Sequence, residues 1–252
     1  RLPVVSAAGA TEVGGVWAVS THPAWRGRGV ASLLLNEAHA RMAAAGLRFS
    51  TLGTDRFRVA HGLYQNHGYR DLCAPAAALG PGAALPRRSD LRAEQAGEQR
   101  LELVDRLFEQ IARGHLGFAR RHTPFFPFLH ARSTLDAQDL WLLWRGDELA
   151  GYAAASAGSG LLRVRSLLLD EGVDAAAAAA TLAWATGAHT IHARLDRSGY
   201  AASFARAGFQ VTPESWITFM VRPLAADATV AEFSRLYGLE QGKFLISYLD
   251  TT

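Results

Sequence analysis

The alternation of apolar and polar residues predicts a mixed α/β fold that begins with a strand, a turn and a helix. The apolar run Val16–Thr21 is rich in β-forming residues, and Pro23 ends it. Helical spacing then extends from Ser32 to Ala45. One face of this helix is apolar and is predicted to be buried; it carries Ala31, Leu34, Leu35, Ala38, Met42 and Ala45.

Shorter elements flank this unit. Leu2–Val5 is predicted to be a strand remnant followed by a loop, and Gly14–Gly15 is predicted to be a turn. Downstream, the pattern predicts a strand at Phe49–Thr54, a helix at Phe57–Asn66 and an extended segment at Tyr69–Leu72.

The pattern changes from Pro75 to Arg88, where Ala, Gly and Pro dominate and predict a linker. A second series of strands and helices follows it. We therefore divide the chain into a first domain at 1–74, a linker at 75–96, a second domain at 97–222 and a C-terminal helix and strand at 223–252. The C-terminal pair is predicted at Thr229–Leu236 and Phe244–Tyr248.

A weak internal repeat relates the two predicted domains. The stretch Leu63–Tyr69 recurs as Ser203–Phe209, with a glycine before the last aromatic residue in both copies. Each copy follows a strand, a helix and a strand, and each precedes a final strand. The two halves are therefore predicted to share one architecture.

Composition narrows the function classes. The chain has 252 residues and a net charge of +3, and its arginines are dispersed among 23 acidic residues, which argues against a nucleic-acid-binding face. Cys73 is the single cysteine, so no internal disulfide can form. No apolar run reaches the ~18 residues of a membrane-spanning helix, and no metal-ligand motif is present. These features favour a cytoplasmic protein without a metal or a membrane partner.

The stretch Thr21–Ala31 carries the first candidate chemistry. A glycine-bearing turn between a strand and a helix places free backbone N–H groups and a helix dipole at one point, where a phosphate binds well. Arg26 and Arg28 add positive charge there. The turn is neither a P-loop nor a dinucleotide fingerprint, and an ordinary structural turn is an equal alternative.

Tyr64 is the second candidate. It lies on the predicted helix before Gly68, and a tyrosine hydroxyl can protonate a departing thiolate because their pKa values, about 10 and about 8.5, are close. The alternative is a half-buried aromatic residue that only packs on the sheet.

Together these residues resemble the acetyl-CoA-binding half of the GNAT superfamily of N-acetyltransferases. Its signature Arg/Gln-x-x-Gly-x-Gly/Ala stands here as Arg26–Ala31, and its signature Ala-x-x-Leu-Tyr-x-x-x-Gly-Phe/Tyr stands as Ala60–Tyr69. The resemblance covers about a quarter of the chain. It implies a GNAT-like mixed sheet, twice in tandem, with the strands that usually precede Val16 expected to be largely missing from the first copy.

The resemblance also implies residue roles. The strand end at Val19 and Thr21 would pair with the pantetheine arm of acetyl-CoA, and an N–H group there would polarise the thioester carbonyl. Tyr64 would be the general acid for the coenzyme A thiolate, and a neutral amine would attack directly. The pyrophosphate would be held by Arg26, Gly27, Arg28, Gly29, Val30 and Ala31.

Two departures from the family pattern concern the site. Phe57 stands where the family often has an asparagine that contacts the cofactor. The general base is unassigned: Glu12 and His22 are the nearest ionisable residues, and a water chain to solvent is an equal alternative.

The second half resembles the same fold without its chemistry. Its turn, Asp170–Asp174, places three carboxylates where a pyrophosphate would sit, and Phe204 occupies the tyrosine position. Packing against the first half, shaping the acceptor pocket and dimerising are its alternative roles. Phe118, Phe125, Phe126 and Phe128 line an acceptor pocket or belong to the core, and among four tryptophans Trp25 is expected to touch the cofactor, whereas Trp17, Trp141 and Trp144 are expected in the core.

The sequence therefore predicts an acyltransferase that moves an acetyl group from acetyl-CoA to a primary amine, on a small molecule or a peptide. The alternatives are a non-catalytic acyl-CoA-binding or regulatory module, and a pure scaffold. A homodimer is one further expectation.

Overall fold

A computed structural model describes residues 1–82, 90–121, 124–213 and 217–245. This part of the chain forms twelve strands and seven α-helices. The strands are β1 (Leu2–Ser6), β2 (Gly9–Gly15), β3 (Phe49–Asp55), β4 (Arg70–Cys73), β5 (Ala76–Pro81), β6 (Leu91–Gln95), β7 (Leu140–Arg145), β8 (Glu148–Gly158), β9 (Leu161–Leu169), β10 (Thr190–Leu195), β11 (Gln210–Thr212) and β12 (Ile217–Pro223). The helices are α1 (Val30–Ala44), α2 (Val59–Asn66), α3 (Leu101–Ile111), α4 (Phe125–Ala131), α5 (Ala175–Thr186), α6 (Ser198–Arg206) and α7 (Val230–Leu236).

The first sheet has the strand order β1-β2-β3-β12-β4, and only β2 and β3 run parallel to each other. Helices α1 and α2 cover one face, where Leu35 and Tyr64 pack against Met220 of β12. Helix α7 covers the other face through Phe233, which packs near Val221. Neighbouring residues of β12 therefore point to opposite faces, as a pleated strand requires.

The second sheet has the order β11-β5-β10-β9-β8-β7-β6. Its two faces bury separate clusters because side chains alternate along β9: Leu167 packs under α5 and α6, and Leu168 packs under α3 and α4. The alanine-rich helix α5 is almost wholly buried on its sheet-facing side, which lets it approach the strands closely.

The two sheets exchange one strand each. Strand β12, from the end of the chain, lies between β3 and β4 in the first sheet. Strand β5, which directly follows β4 in the sequence, lies between β10 and β11 in the second. The predicted repeat is visible in this arrangement, but each copy receives its last strand from the other half.

The first strand boundary differs from the prediction. Strand β2 ends at Gly15, so the predicted strand Val16–Thr21 and the predicted turn Gly14–Gly15 are both wrong. Gly14 is suited to its place in the strand because the thioether of Met42 occupies the space that a Cβ there would need. A glycine that looks like part of a turn in the sequence is here required by the close packing of α1 on the sheet.

The irregular structure expected of 75–96 is also wrong, because β5 and β6 both lie in it. Small residues suit β5 because the ring of Phe209 packs directly over Gly80 and leaves no room for a Cβ. Residues 83–89, the centre of the predicted linker, lie outside the described residues. The four-part division of the chain stays a prediction.

Two smaller expectations have mixed outcomes. On α1, Leu34 is 59% exposed and His39 takes a buried place instead, so the predicted apolar face is rotated. The C-terminal helix is confirmed as α7, with Thr229 as its N-cap. The predicted strand at 244–248 falls mostly on residues 246–252, which the structure does not describe.

Candidate functional site

The glycine turn opens directly into α1. Gly27 and Gly29 adopt left-handed conformations, with φ of 72° and 76°. Gly29 is the N-cap of α1, no side chain caps the helix, and the first turn holds no acidic residue. Leu33 N donates to Gly29 O at 3.0 Å, so the amides before it, those of Val30, Ala31 and Ser32, have no partner within the helix. The turn therefore presents bare N–H groups at the positive end of a 15-residue helix.

The side chains around the turn add positive charge without blocking it. Arg26 Nε donates to Thr21 O at 3.2 Å, which ties the turn to the segment before it. The Arg28 guanidinium lies 5.0 Å from the centre of the Trp25 ring, an arrangement typical of a cation–π contact. All three side chains are exposed.

The parallel pairing of β2 with β3 is short. The two parallel strands pair only at Gly14 with Ser50 and at Gly15 with Thr51, and Val16 N donates to Thr51 O at 2.9 Å just beyond them. Val19 and Thr21, expected at a strand end, lie in the irregular segment that follows, and their binding roles stay predictions. Trp17 is 74% exposed, so its expected place in the core is wrong.

Tyr64 packs between the segment after β2 and α1. It is buried on α2 in a cluster that includes Leu35 of α1 and Leu52 of β3, with Val16 packed against it. Within the described part of the chain its hydroxyl has no hydrogen-bond partner. Burial raises the pKa of Tyr64, so the phenol keeps its proton at neutral pH. One apolar cluster thus joins Tyr64 to Val16, just after β2, and to Leu35 on the helix that starts at the glycine turn.

The candidate bases are engaged elsewhere. Glu12 lies on β2 and forms an exposed ion pair with Arg1 at 3.2 Å. His22 Nδ1 accepts from Ala24 N at 3.3 Å and caps a short 3-10 helix. Phe57, at the position of the family's asparagine, is 87% exposed just before α2.

A buried polar network lies between α1 and the first sheet, and the sequence reasoning missed it. Arg222 of β12 contacts His39 of α1 at 2.6 Å, and His39 contacts the Tyr69 hydroxyl at 2.9 Å. Tyr69 contacts Ser50 Oγ at 2.6 Å, and Ser50 Oγ donates to Gly14 O at 3.0 Å. Its one sequence signal is His39, which lies four residues after Leu35 on the buried face of α1.

The pKa values of this network depart from their ordinary values. Burial lowers the pKa of His39 to about 4, helped by the nearby charges of Arg222 and His67. Burial raises the pKa of Tyr69 to about 12. At neutral pH, His39 is therefore an uncharged imidazole and Tyr69 is a protonated phenol.

The corresponding helix start in the second half is closed by its own side chains. Asp174 is the N-cap of α5 and accepts from Ala177 N at 2.9 Å. Ser203 Oγ accepts from Ala176 N at 3.0 Å and donates to Asp174 at 2.8 Å. First-turn amides that are bare in α1 are therefore occupied in α5.

The strand edge in the second half is closed in the same way. Leu167 N donates to the Asp196 carboxylate at 3.2 Å, and Leu169 N donates to the Tyr200 hydroxyl at 3.1 Å. Phe204, in the position of Tyr64, is fully buried with its ring edge-on to Phe209. Edge amides that a ligand would need are thus used inside the protein.

The aromatic residues expected at a pocket or in the core divide between core and surface. Phe126 is fully buried in the core under α3 and α4, and Phe118 and Phe125 pack against that core. Phe128 is 51% exposed, so it belongs to neither a core nor an enclosed pocket. Trp141 is buried as expected, and its indole donates to Ala155 O.

Two further classes of site are not found in the described ranges. These residues hold no group of three or more His, Cys, Asp or Glu side chains that could bind a metal ion. Within the same residues, none of the helices is long and apolar enough to cross a membrane.

Comparison with known proteins places residues 4–71 in a family model described as an acetyltransferase (GNAT) domain. No curated protein matches the chain.

Solved structures match almost the whole chain at low identity. It is similar to a GCN5-related N-acetyltransferase from Kribbella flavida, with 19% identity and a TM-score of 0.60 over 88% of this chain and 55% of that one. It is similar to a conserved protein of unknown function from Enterococcus faecalis V583, with 16% identity and a TM-score of 0.65 over 88% and 57%. A GCN5-related N-acetyltransferase from Anabaena variabilis has 18% identity and a TM-score of 0.60 over 89% and 58%. The chain thus spans little more than half the length of these proteins, and the likeness establishes the fold.

Proposed function

Because residues 4–71 match a family model of acetyltransferase (GNAT) domains, we propose that the chain transfers an acetyl group from acetyl-CoA to a primary amine. The observation that carries the proposal is the bare start of α1, a helix whose Leu35 packs in one apolar cluster with Tyr64. A turn that can bind phosphate and a buried, protonated phenol are the two features that transfer from an acyl-CoA thioester needs.

The turn supports binding of the coenzyme A pyrophosphate. Free amides at the start of α1 would donate to its oxygens, and the helix dipole favours their negative charge. Arg26 and Arg28 lie in the turn itself and add formal charge. The start of α5 differs from the start of α1, because Asp174 already accepts a hydrogen bond from a backbone amide of that helix.

The segment after Gly15 supports binding of the pantetheine arm. Beyond Val16 the backbone is no longer paired with β3. A pantetheine arm laid against residues 16–21 would find backbone N–H and C=O groups there. Such an N–H group near the thioester would stabilise the negative charge that develops on its carbonyl oxygen.

The chemical step follows from these positions. The lone pair of the amine attacks the thioester carbon, a C–N bond forms, and the C–S bond breaks. Tyr64 donates its proton to the departing thiolate and regains one from solvent, and the proton lost by the amine passes to water. The raised pKa of Tyr64 keeps the acid in its protonated form until the thiolate leaves.

We propose that the second half does not bind acyl-CoA. Its helix start and its strand edge are occupied by Asp174, Asp196 and Tyr200. Its contribution is the strand β12, which completes the sheet of the first half.

The test combines binding and turnover. Calorimetry with acetyl-CoA and a thiol-release assay over a panel of small-molecule and peptide amines should show both binding and turnover. Binding without turnover on any amine would favour the non-catalytic acyl-CoA module. Absence of binding would refute the assignment of the turn.

A further inference from the structure

The buried polar network between α1 and the first sheet is a chain of hydrogen bonds, and its donors and acceptors can be assigned in only one direction. An arginine can only donate, so Arg222 donates to His39 Nδ1, and the imidazole proton lies on Nε2. A carbonyl oxygen can only accept, so Ser50 donates its one hydroxyl proton to Gly14 O. Tyr69 must then donate to Ser50 and accept from His39. The two ends fix the same direction independently.

The hydrogen-bond chain ends at Gly14, near the end of β2. Gly14 is the first of the two residues that pair with β3, and β2 ends at the second. Its carbonyl belongs to the peptide group that leads into residues 15–17. Holding this carbonyl fixes the direction in which the strand leaves the sheet.

The hydrogen-bond chain begins at Arg222 on the exchanged strand β12. Arg222 lies on β12 opposite Ser50, and the same guanidinium nitrogen that contacts His39 also donates to His67 O at 2.6 Å. His39 belongs to α1 and His67 directly follows α2. One side chain from the second half therefore contacts the helix that starts at the glycine turn and the end of the helix that carries Tyr64.

The second half lacks the corresponding groups. In its sheet, Pro81 lies opposite Thr190 as Arg222 lies opposite Ser50, and proline has no side-chain donor. Phe209 stands at the repeat position of Tyr69 and has no hydroxyl. The polar chain is therefore present in the half with the bare helix start and missing from the half whose start is closed.

We propose that Arg222, His39, Tyr69 and Ser50 are positioning residues for acyl transfer, through which the second half sets the strand end at the thioester site. They act on the reaction through Gly14 and the two helices, and do not touch the substrate. This inference rests on the proposed function.

Tyr69→Phe tests the role of the hydrogen-bond chain with little change in packing, because it removes only one hydroxyl group. Tyr237→Phe is the matched control: Tyr237 is also buried, and its hydroxyl bonds to Thr11 of β2 at 2.9 Å on the other face of the sheet. We expect Tyr69→Phe to lower kcat about tenfold and to change KM for acetyl-CoA less than about twofold. Tyr237→Phe should keep kcat within about twofold, with a similar loss of thermal stability.

A second readout does not depend on activity. Hydrogen–deuterium exchange of a peptide covering residues 13–20 should become faster in Tyr69→Phe and stay unchanged in Tyr237→Phe. Arg222→Lys, which keeps a donor, should retain more of the wild-type kcat and exchange protection than Arg222→Met.

The outcomes separate the two proposals. Equal losses of kcat in the two tyrosine variants, or no loss in Tyr69→Phe, would overturn the positioning role. If the wild type turns over no amine, the proposed function fails. The hydrogen–deuterium exchange experiment then decides by itself whether the hydrogen-bond chain fixes the end of β2.

Discussion

Acidification is expected to destabilise the folded protein through His39. The imidazole is buried and faces Arg222 and His67, and its pKa of about 4 lies well below the ordinary 6.5. A proton on Nδ1 would point at the guanidinium group that now donates to it. The folded state therefore resists protonation of His39, and the unfolded chain does not.

The sign and size of the effect follow from this difference. Between pH 6.5 and pH 4 the unfolded state binds a proton that the folded state excludes, so stability falls as the pH falls. Each pH unit corresponds to about 1.36 kcal/mol, so the interval of 2.5 units gives a loss of about 3 kcal/mol by pH 4. Above pH 6.5 the contribution is fully present.

Urea unfolding at several pH values between 7.5 and 4 measures this loss. His39→Gln is the reference variant, because glutamine stays neutral and keeps a donor for Tyr69. Carboxylates titrate in both proteins, so the difference in unfolding free energy isolates the imidazole. That difference should shrink by about 3 kcal/mol towards pH 4. Arg222→Gln should shrink the pH-dependent loss, because it removes the positive charge beside His39.

Parallel stability curves for the wild type and His39→Gln would refute this reasoning. They would mean that the folded state accommodates the charged imidazole, and that the direction assigned to the hydrogen-bond chain is not enforced.

Three further predictions concern the site and its copy. Gly29→Asp should weaken acetyl-CoA binding by at least about tenfold in calorimetry. In Gly29→Asn, whose side chain also tolerates the left-handed backbone but carries no charge, the affinity should stay within about threefold of the wild type. Equal losses of affinity would mean that the size of the side chain matters and its charge does not. Tyr64→Phe should lower turnover on the order of a hundredfold with nearly unchanged acetyl-CoA affinity, and full activity would leave Tyr64 a packing residue. Phe204→Tyr buries an unpaired hydroxyl, so the free energy of unfolding should fall by about 1–3 kcal/mol without a gain in turnover. A gain in turnover would show that the second half is catalytically active.

Local features of the site could be predicted from the sequence. Glycines before an amphipathic helix predict a bare helix start, and the structure has one at Gly29. The short helix that carries Tyr64 is present as α2, and both copies of the repeat, Leu63–Tyr69 and Ser203–Phe209, lie at the end of a short helix directly before a strand. These features depend on residues that are close in the sequence.

The features that were missed depend on distant residues. Gly14–Gly15 looks like a turn unless Met42 is known to press against the strand. The segment at 75–96 looks like a linker because the side chains over β5, such as Phe209, come from far along the chain. The polar chain joins Ser50 to Arg222 across the sheet, and periodicity within one element cannot reveal such a contact.

The strand exchange has a consequence for the order of folding. Strands β3 and β4 are synthesised before the strand that lies between them, which begins only at Ile217. Until then the facing edges of β3 and β4 stay unpaired, and unpaired edges are prone to pair with other chains. Contacts over so long a stretch of sequence also slow folding. The glycine turn and Tyr64 are synthesised before the second half, yet the sheet that supports them is complete only after β12 has been synthesised.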